Sequence, residues 1–436
     1  MHAATNNNLI AKGKIFQDPN FFDMIAAETV AIATEASKDY DTVISAINNK
    51  QKYIVTDNAY LSLESYLVDM KAKYQSLGVS LEEDEVKEEK KSSSGDGFFA
   101  KVKSVIKSIL DFFYNLFISI KDKFLSLFGI TKKNKESQIA AVKNDFPEAI
   151  KEAEARVEVA KKNIDKLKFE GDVAYLEKYV KTGELTMAYS PRSFNIGTSS
   201  TEKEFNTAIK DLSLSISTAT SVIDYYQKTA SVLFAAFKEI VETGKPNEQL
   251  MFSAVLGSSI GKVYTVIDGA HFSAAIKDGS RILGKVGGTY LTMPGDSPDG
   301  ELPRVIARLV APVEGDYKLT FNRTSIEVHI RDFIKITDGV NSLIKTSNNS
   351  ISSVEGYLKD IKAVVLKNEE NMQDPEILKE LKSIEKFMND ILARTGTIVK
   401  FCVAGGDFIF NTIEHMVKEN SKASKKLQAY IPKDKE

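Results

Sequence analysis

Apolar positions along the chain follow two rhythms. Near-helical spacing opens it: Phe21, Phe22, Ile25, Ala26, Val30 and Ile32, then Tyr60, Leu63, Tyr66, Leu67 and Met70. The pattern stops abruptly at Leu81–Gly97, a run of acids, lysines, serines and glycines with little to bury, which reads as a solvated linker. Helical spacing returns from 137 to 268. Ile150, Ala153, Val157, Ala160, Ile164 and Leu167 form one stripe. A capping box at Thr201 and Glu204 introduces a second, through Phe205, Ile209, Leu212, Ile216, Ala219, Ile223 and Tyr226, until Gly244-Lys-Pro246 stops it.

Between 269 and 330 the spacing changes to alternation. Thr289–Met293, Val305–Val310, Tyr317–Phe321 and Ser325–Ile330 read as short strands punctuated by Pro294, Pro298, Pro303 and Pro312. From 331 the chain is helical again, with Ile351, Val354, Leu358, Ile361 and Val365 on one face. Asp374-Pro375 starts a further helix through Ile377, Leu381, Ile384, Met388 and Ile391. A last apolar helix around Ile398–Val417 carries Gly405-Gly406, and the tail from Lys418 is expected to fray. The fold class expected is predominantly α, a helical bundle with a small antiparallel β insertion, α+β overall.

Residues 98–130 stand apart. Read as a helix, polar residues recur at Lys101, Ser104, Ser108, Asp111, Asn115, Ser119, Asp122 and Ser126. The wide remainder is apolar and carries Phe98, Phe99, Val102, Ile106, Ile109, Phe113, Phe117, Ile120, Phe124 and Phe128. Lys101, Lys103 and Lys107 bracket one end; Lys121, Lys123, Lys132, Lys133 and Lys135 bracket the other. Such a rod either packs into the bundle or lies in a membrane interface. Lys107 and Asp111 disfavour a simple span, and no window reaches the roughly 18 apolar residues one needs.

Composition narrows the chemistry. The 436 residues allow two or three domains. Lys plus Arg (58) nearly balance Asp plus Glu (60), so global attraction to nucleic acid, and sequence-specific binding with it, is not expected. One cysteine, Cys402, excludes an internal disulfide framework and any cysteine-cluster metal site, and reads as a buried small hydrophobe. His2, His271, His329 and His415 form no H-x-x-x-H pair, so no metal or cofactor is expected. The start of the chain lacks a secretory signal, which points to folding in a reducing cytoplasm.

No catalytic motif emerges. Gly257-Ser-Ser-Ile-Gly-Lys262 has three residues between its glycines where a phosphate loop has four, and Val263 follows the lysine; helix packing at small residues is the expected role. Gly257-Ser-Ser-Ile-Gly261 matches the letters of G-x-S-x-G, but no strand precedes it and it lies in a helical run, so it is not the strand-to-helix turn of a nucleophile elbow. His271 and His329 read as strand-surface or satisfied core residues, and His415 with Cys402 has no supporting spacing. No enzyme is expected.

A helical N-terminal piece ending in Ser-Leu-Glu, an acidic linker, a lysine-flanked Phe/Ile/Leu helix and a helical body with a β insertion together resemble the internal head proteins of giant tailed phages. In that family a prohead protease removes N-terminal propeptides after the glutamate of a small-x-Glu motif. This chain carries Ser62-Leu-Glu64 and Ser80-Leu-Glu82, and earlier Ala26-Ala-Glu28 and Ala33-Thr-Glu35. The resemblance implies a propeptide over residues 1–82, candidate cleavage after Glu64 or Glu82, a hinge at 83–97, and a body of 98–130, 137–268, 269–330 and 331–436. It also implies a virion-interior location after synthesis in the host cytoplasm, other virion proteins as partners, the prohead protease as processing enzyme, and ejection with the DNA. Two other classes compete. One is a membrane-active helical protein, a pore former or membrane remodeller, acting on a membrane surface through 98–128. The other is an enzyme built on His271 or His329 with carboxylates.

Overall fold

The computed structural model describes residues 131–189, 194–245, 251–272, 279–295, 302–309, 317–368, 371 and 375–431, with positions 114, 118, 121, 122, 126 and 129 upstream. Glu64, Glu82, the linker at 83–97 and the ten apolar rod residues from Phe98 to Phe128 named above lie outside the described residues.

Residues 131–140 are helical and pass through a π turn at Ala141–Asp145 into α1 (Phe146–Lys162). Then come α2 (Tyr175–Thr182), β1 (Glu184–Ala188), β2 (Ser199–Thr201), α3 (Glu202–Thr243) and α4 (Phe252–Gly269). Strands β3 (Arg281–Val286), β4 (Thr289–Met293), β5 (Ile306–Leu309) and β6 (Lys318–Asn322) lead to α5 (Ile326–Lys367) and α6 (Pro375–Gln428). The described residues thus form a mostly helical α+β fold.

Local chemistry sets the helix limits. The Glu204 carboxylate accepts the Thr201 backbone N–H at 2.9 Å, closing the capping box that starts α3. Those donors also hold the Glu204 carboxyl below its usual value, the hydroxyl of Thr201 first and its backbone N–H second. Gly244 ends α3 in the left-handed region at φ 63°. All seven stripe residues from Phe205 to Tyr226 are buried.

Helices α3 and α5, each of 42 residues, lie parallel and in step. Phe205 meets His329, Gln227 donates to the Ser353 hydroxyl, and Phe234 stacks on Tyr357. Helix α6 follows α5 after a short connection, beginning beside Phe252 of α4 and reaching Tyr179 of α2 at Asn420. Helix α1 runs parallel to α6, from Phe146 on Phe410 to Arg156 on Ser424.

The strands depart from the sequence expectation. The antiparallel insertion at 269–330 is confined to β3-β4-β5, whereas β6 is the centre of a second sheet, antiparallel to β1 and parallel to β2. Both partners come from the 137–268 stretch read as helical. Ser325–Ile330, read as a strand, is the 3-10 turn and first turn of α5. Ile326, His329, Ile330 and Phe333 share its inner face, so helical spacing overrides the short alternation. The two last helices are one 54-residue helix, and it continues through the expected frayed tail to Gln428. Asn420, Ala423, Ser424 and Leu427 keep that tail inside, because Tyr179 donates to the Asn420 side chain at 2.7 Å and Arg156 to Ser424 at 3.3 Å. The α1 stripe holds from Ile150 to Ala160, but the helix ends before Ile164 and Leu167, which are half-buried.

Two buried ion pairs join distant elements. Lys285 of β3 lies 3.1 Å from Asp211 of α3, and the Lys285 backbone N–H donates to Ser215 at 2.8 Å, hanging the β3-β4-β5 sheet on α3. Lys135 is 1% exposed; its ammonium donates to Asp407 at 2.7 Å and to Gln138 at 3.1 Å. The glycine pair makes this approach feasible. A Cβ on Gly406 would stand 3.1 Å from the Lys135 ammonium, and one on Gly405 would stand 2.9 Å from Leu212.

Asp407→Ala should therefore strand a buried ammonium and cost about 2–3 kcal/mol, below the fully buried range because Asp407 reaches solvent. Lys135→Met combined with Asp407→Ala should recover most of that loss in denaturant unfolding.

Candidate functional site

Six described positions show how the lysine-flanked rod meets the body. Residues 114, 118, 121, 122, 126 and 129 are helical. Tyr114, Ile118 and Lys121 recur at the spacing that places side chains on one face. The Lys362 ammonium lies 5.6 Å above the Tyr114 ring, and the Lys121 ammonium bonds Glu355 at 2.7 Å. Chain numbers rise along the rod as they fall along α5, so the two run antiparallel, and the same register sets Ile118 level with Leu358. Both are half-buried against the core.

This contact changes the meaning of the lysine bracket. Of the lysines that bracket the rod, Lys121 is engaged by Glu355 and Lys135 is buried with Asp407. Lys132 and Lys133 remain exposed. An interfacial helix needs its lysines free for headgroups. Here two act as fasteners to the bundle instead. Sequence reasoning missed this because Glu355 and Asp407 lie 234 and 272 residues away along the chain.

The motifs weighed for chemistry are dispersed. Gly257–Lys262 lies inside α4, as the helical reading expects; yet Gly257 and Gly261 face open space rather than packing against a neighbour. His271 is exposed just beyond α4. Cys402 is fully buried, and burial pushes its thiol up to about 12. His415 is exposed on the same helix, about 20 Å further along, so the two form no pair. Among the described residues no group of three His, Cys, Asp or Glu residues is placed to hold a metal ion, and no helix is long and apolar enough to cross a membrane.

His329 corrects the strand reading most sharply. It sits in α5, not on a sheet, and is fully buried. Its Nε2 lies 3.5 Å from a Glu202 oxygen without a hydrogen bond, and neither ring nitrogen has a hydrogen-bond partner. The Phe205 ring meets it edge-on at 5.1 Å. Desolvation holds the imidazole below its usual value, with Glu202 and then Asp332 pulling the other way.

Glu380 is the counterpart at the opposite end of the bundle. It is buried near the start of α6 and accepts the Phe252 backbone N–H at 2.5 Å, capping α4 from another helix. Burial raises its carboxyl above the usual value, and the Phe252 bond opposes that only in part.

The rod contact predicts a reciprocal mutational result. Glu355→Lys should expose residues 114–122 to faster amide exchange and cost about 1 kcal/mol, as a partly screened pair should. Lys121→Glu combined with Glu355→Lys should restore the protection. Comparison with known proteins gives no match to a family model, to a curated protein or to a solved structure.

Proposed function

We propose that the chain is a structural protein of a phage head interior, made as a precursor and trimmed after Glu82 or Glu64, with other virion proteins as partners and no catalytic role. One observation carries the reading. The described core is continuous from Ile118 and Val142 to Leu427, and the rod is fastened to α5 and α6 downstream of both cleavage sites. Both fastening pairs lie on the C-terminal side of Glu82, so the rod belongs to the part that trimming would retain. Long parallel helices suit dense packing among neighbours. A net charge of −2 means that contacts between proteins and confinement, rather than phosphate neutralisation, would hold the body beside DNA.

Mass spectrometry of the chain taken from particles tests the proposal. The expected N-terminus is Glu83 or Ser65, and an intact Met1 overturns the propeptide. A recombinant chain beginning at Glu83 should unfold at the same temperature as the full chain. Vesicle flotation separates the membrane-active reading. The body should stay unbound at low salt, whereas binding that disappears on deleting 98–130 would favour the membrane reading.

A further inference from the structure

The end of the bundle where α3 and α5 begin is joined by polar contacts around one buried histidine. Glu202, in the first turn of α3, accepts the Asn322 backbone N–H at 3.2 Å through one oxygen and presents the other to His329. Asn322 ends β6 and donates its side-chain N–H to the Thr182 carbonyl at 2.8 Å, while the Arg323 backbone N–H donates to Gly183 at 2.8 Å. Helix α2, the β1-β6-β2 sheet, α3 and α5 therefore converge on this joint.

The charged groups around the imidazole are few. Helix α3 contributes Glu202, and α5 contributes Asp332 one turn beyond the histidine. The turn before α5 contributes Arg323, which is directed instead to Glu154 of α1 at 3.6 Å and to the Tyr179 ring of α2. The Phe205 edge closes the side facing α3. A neutral ring fits this slot. A protonated ring has one carboxylate at 3.5 Å, no aligned acceptor, and no water-exposed surface.

We propose that His329 is a proton-operated release for this joint: proton uptake places an unsolvated charge between α3 and α5, and their first turns, with β6, open to hydrate it. The proposal does not depend on the virion reading. The sign follows from linkage. A histidine held below its unfolded value adds stability above that value, and the contribution is lost as pH falls through the interval toward the folded value. One unit below the unfolded value of 6.5, a ring that stays neutral while folded weakens the closed state by up to about tenfold. Glu380 works in the opposite sense, since a raised carboxyl adds stability that is lost as pH rises through its folded value. It lies at the other end of the bundle, so a region-resolved measurement separates the two.

Hydrogen exchange read by mass spectrometry on the full chain, at about pH 7.5 and pH 5.5 and corrected for intrinsic rates, tests this. Residues 199–209 and 318–333 should lose up to about tenfold in protection at the lower pH. His329→Phe, which fills the slot without titrating, should abolish that difference. Slow exchange of the histidine ring C2–H in the unmodified chain should place His329 below 6.5, and this readout stands even if the variant fails to fold. Equal protection at both pH values, an undiminished loss in His329→Phe, or a His329 titration at or above 6.5 would each overturn the proposal.

Discussion

The fold depends on two helices that run the same way. α3 and α5 are each about 63 Å long and stay in step throughout, so the chain leaving α3 must travel back that whole distance before α5 can begin. A tight turn cannot do this. Residues 244–325 are the return path, and every element in them serves it. Helix α4 covers part of the length while packing Leu256, Ile260, Val263 and Ile267 inward. The β3-β4-β5 meander is pinned to α3 by the Lys285–Asp211 pair, and β6 delivers the chain to the joint beside Glu202. The small sheets are therefore the structural cost of parallel helices rather than a separate module.

Much of this was readable from residue order wherever a single segment holds the whole signal. Thr201 and Glu204 close their capping box within one turn, Gly244 stops α3, and α6 begins at Pro375. Thr289–Met293 is a strand with the expected limits. What escaped was information held by a partner elsewhere. Strand β1 has five residues with a weak alternation, and it becomes a strand because β6 pairs with it, Thr186 meeting Thr320 across 134 positions. Strand β2 has three residues and no pattern at all.

Ser325–Ile330 failed for a different reason. Ile326, Val328 and Ile330 alternate, while Ile326, His329, Ile330 and Phe333 follow helical spacing. The fold buries the second set and leaves Val328 43% exposed. A histidine had to be counted as core for the helix to be seen. The tail escaped similarly, since Asn420 and Ser424 look like surface residues until Tyr179 and Arg156 are placed beside them. At the rod, the lysine bracket was legible as charge but not as fastening. The sequence cannot show that Glu355 and Asp407 arrive beside it.

The π turn at Ala141–Asp145 sets the angle between α1 and the helical residues 131–140 before it. One extra residue per turn rotates everything on its N-terminal side by about 100° relative to α1, much as a vernier offsets one scale against another. Across that offset α6 is met from both sides of the turn, by Lys135 and Gln138 before it and by Phe146 and Arg156 after it. The bulge is thus a phase adjuster. Without it the helix would still form, but Lys135 and Gln138 would stand at another angle to α6 than the one that brings both to Asp407.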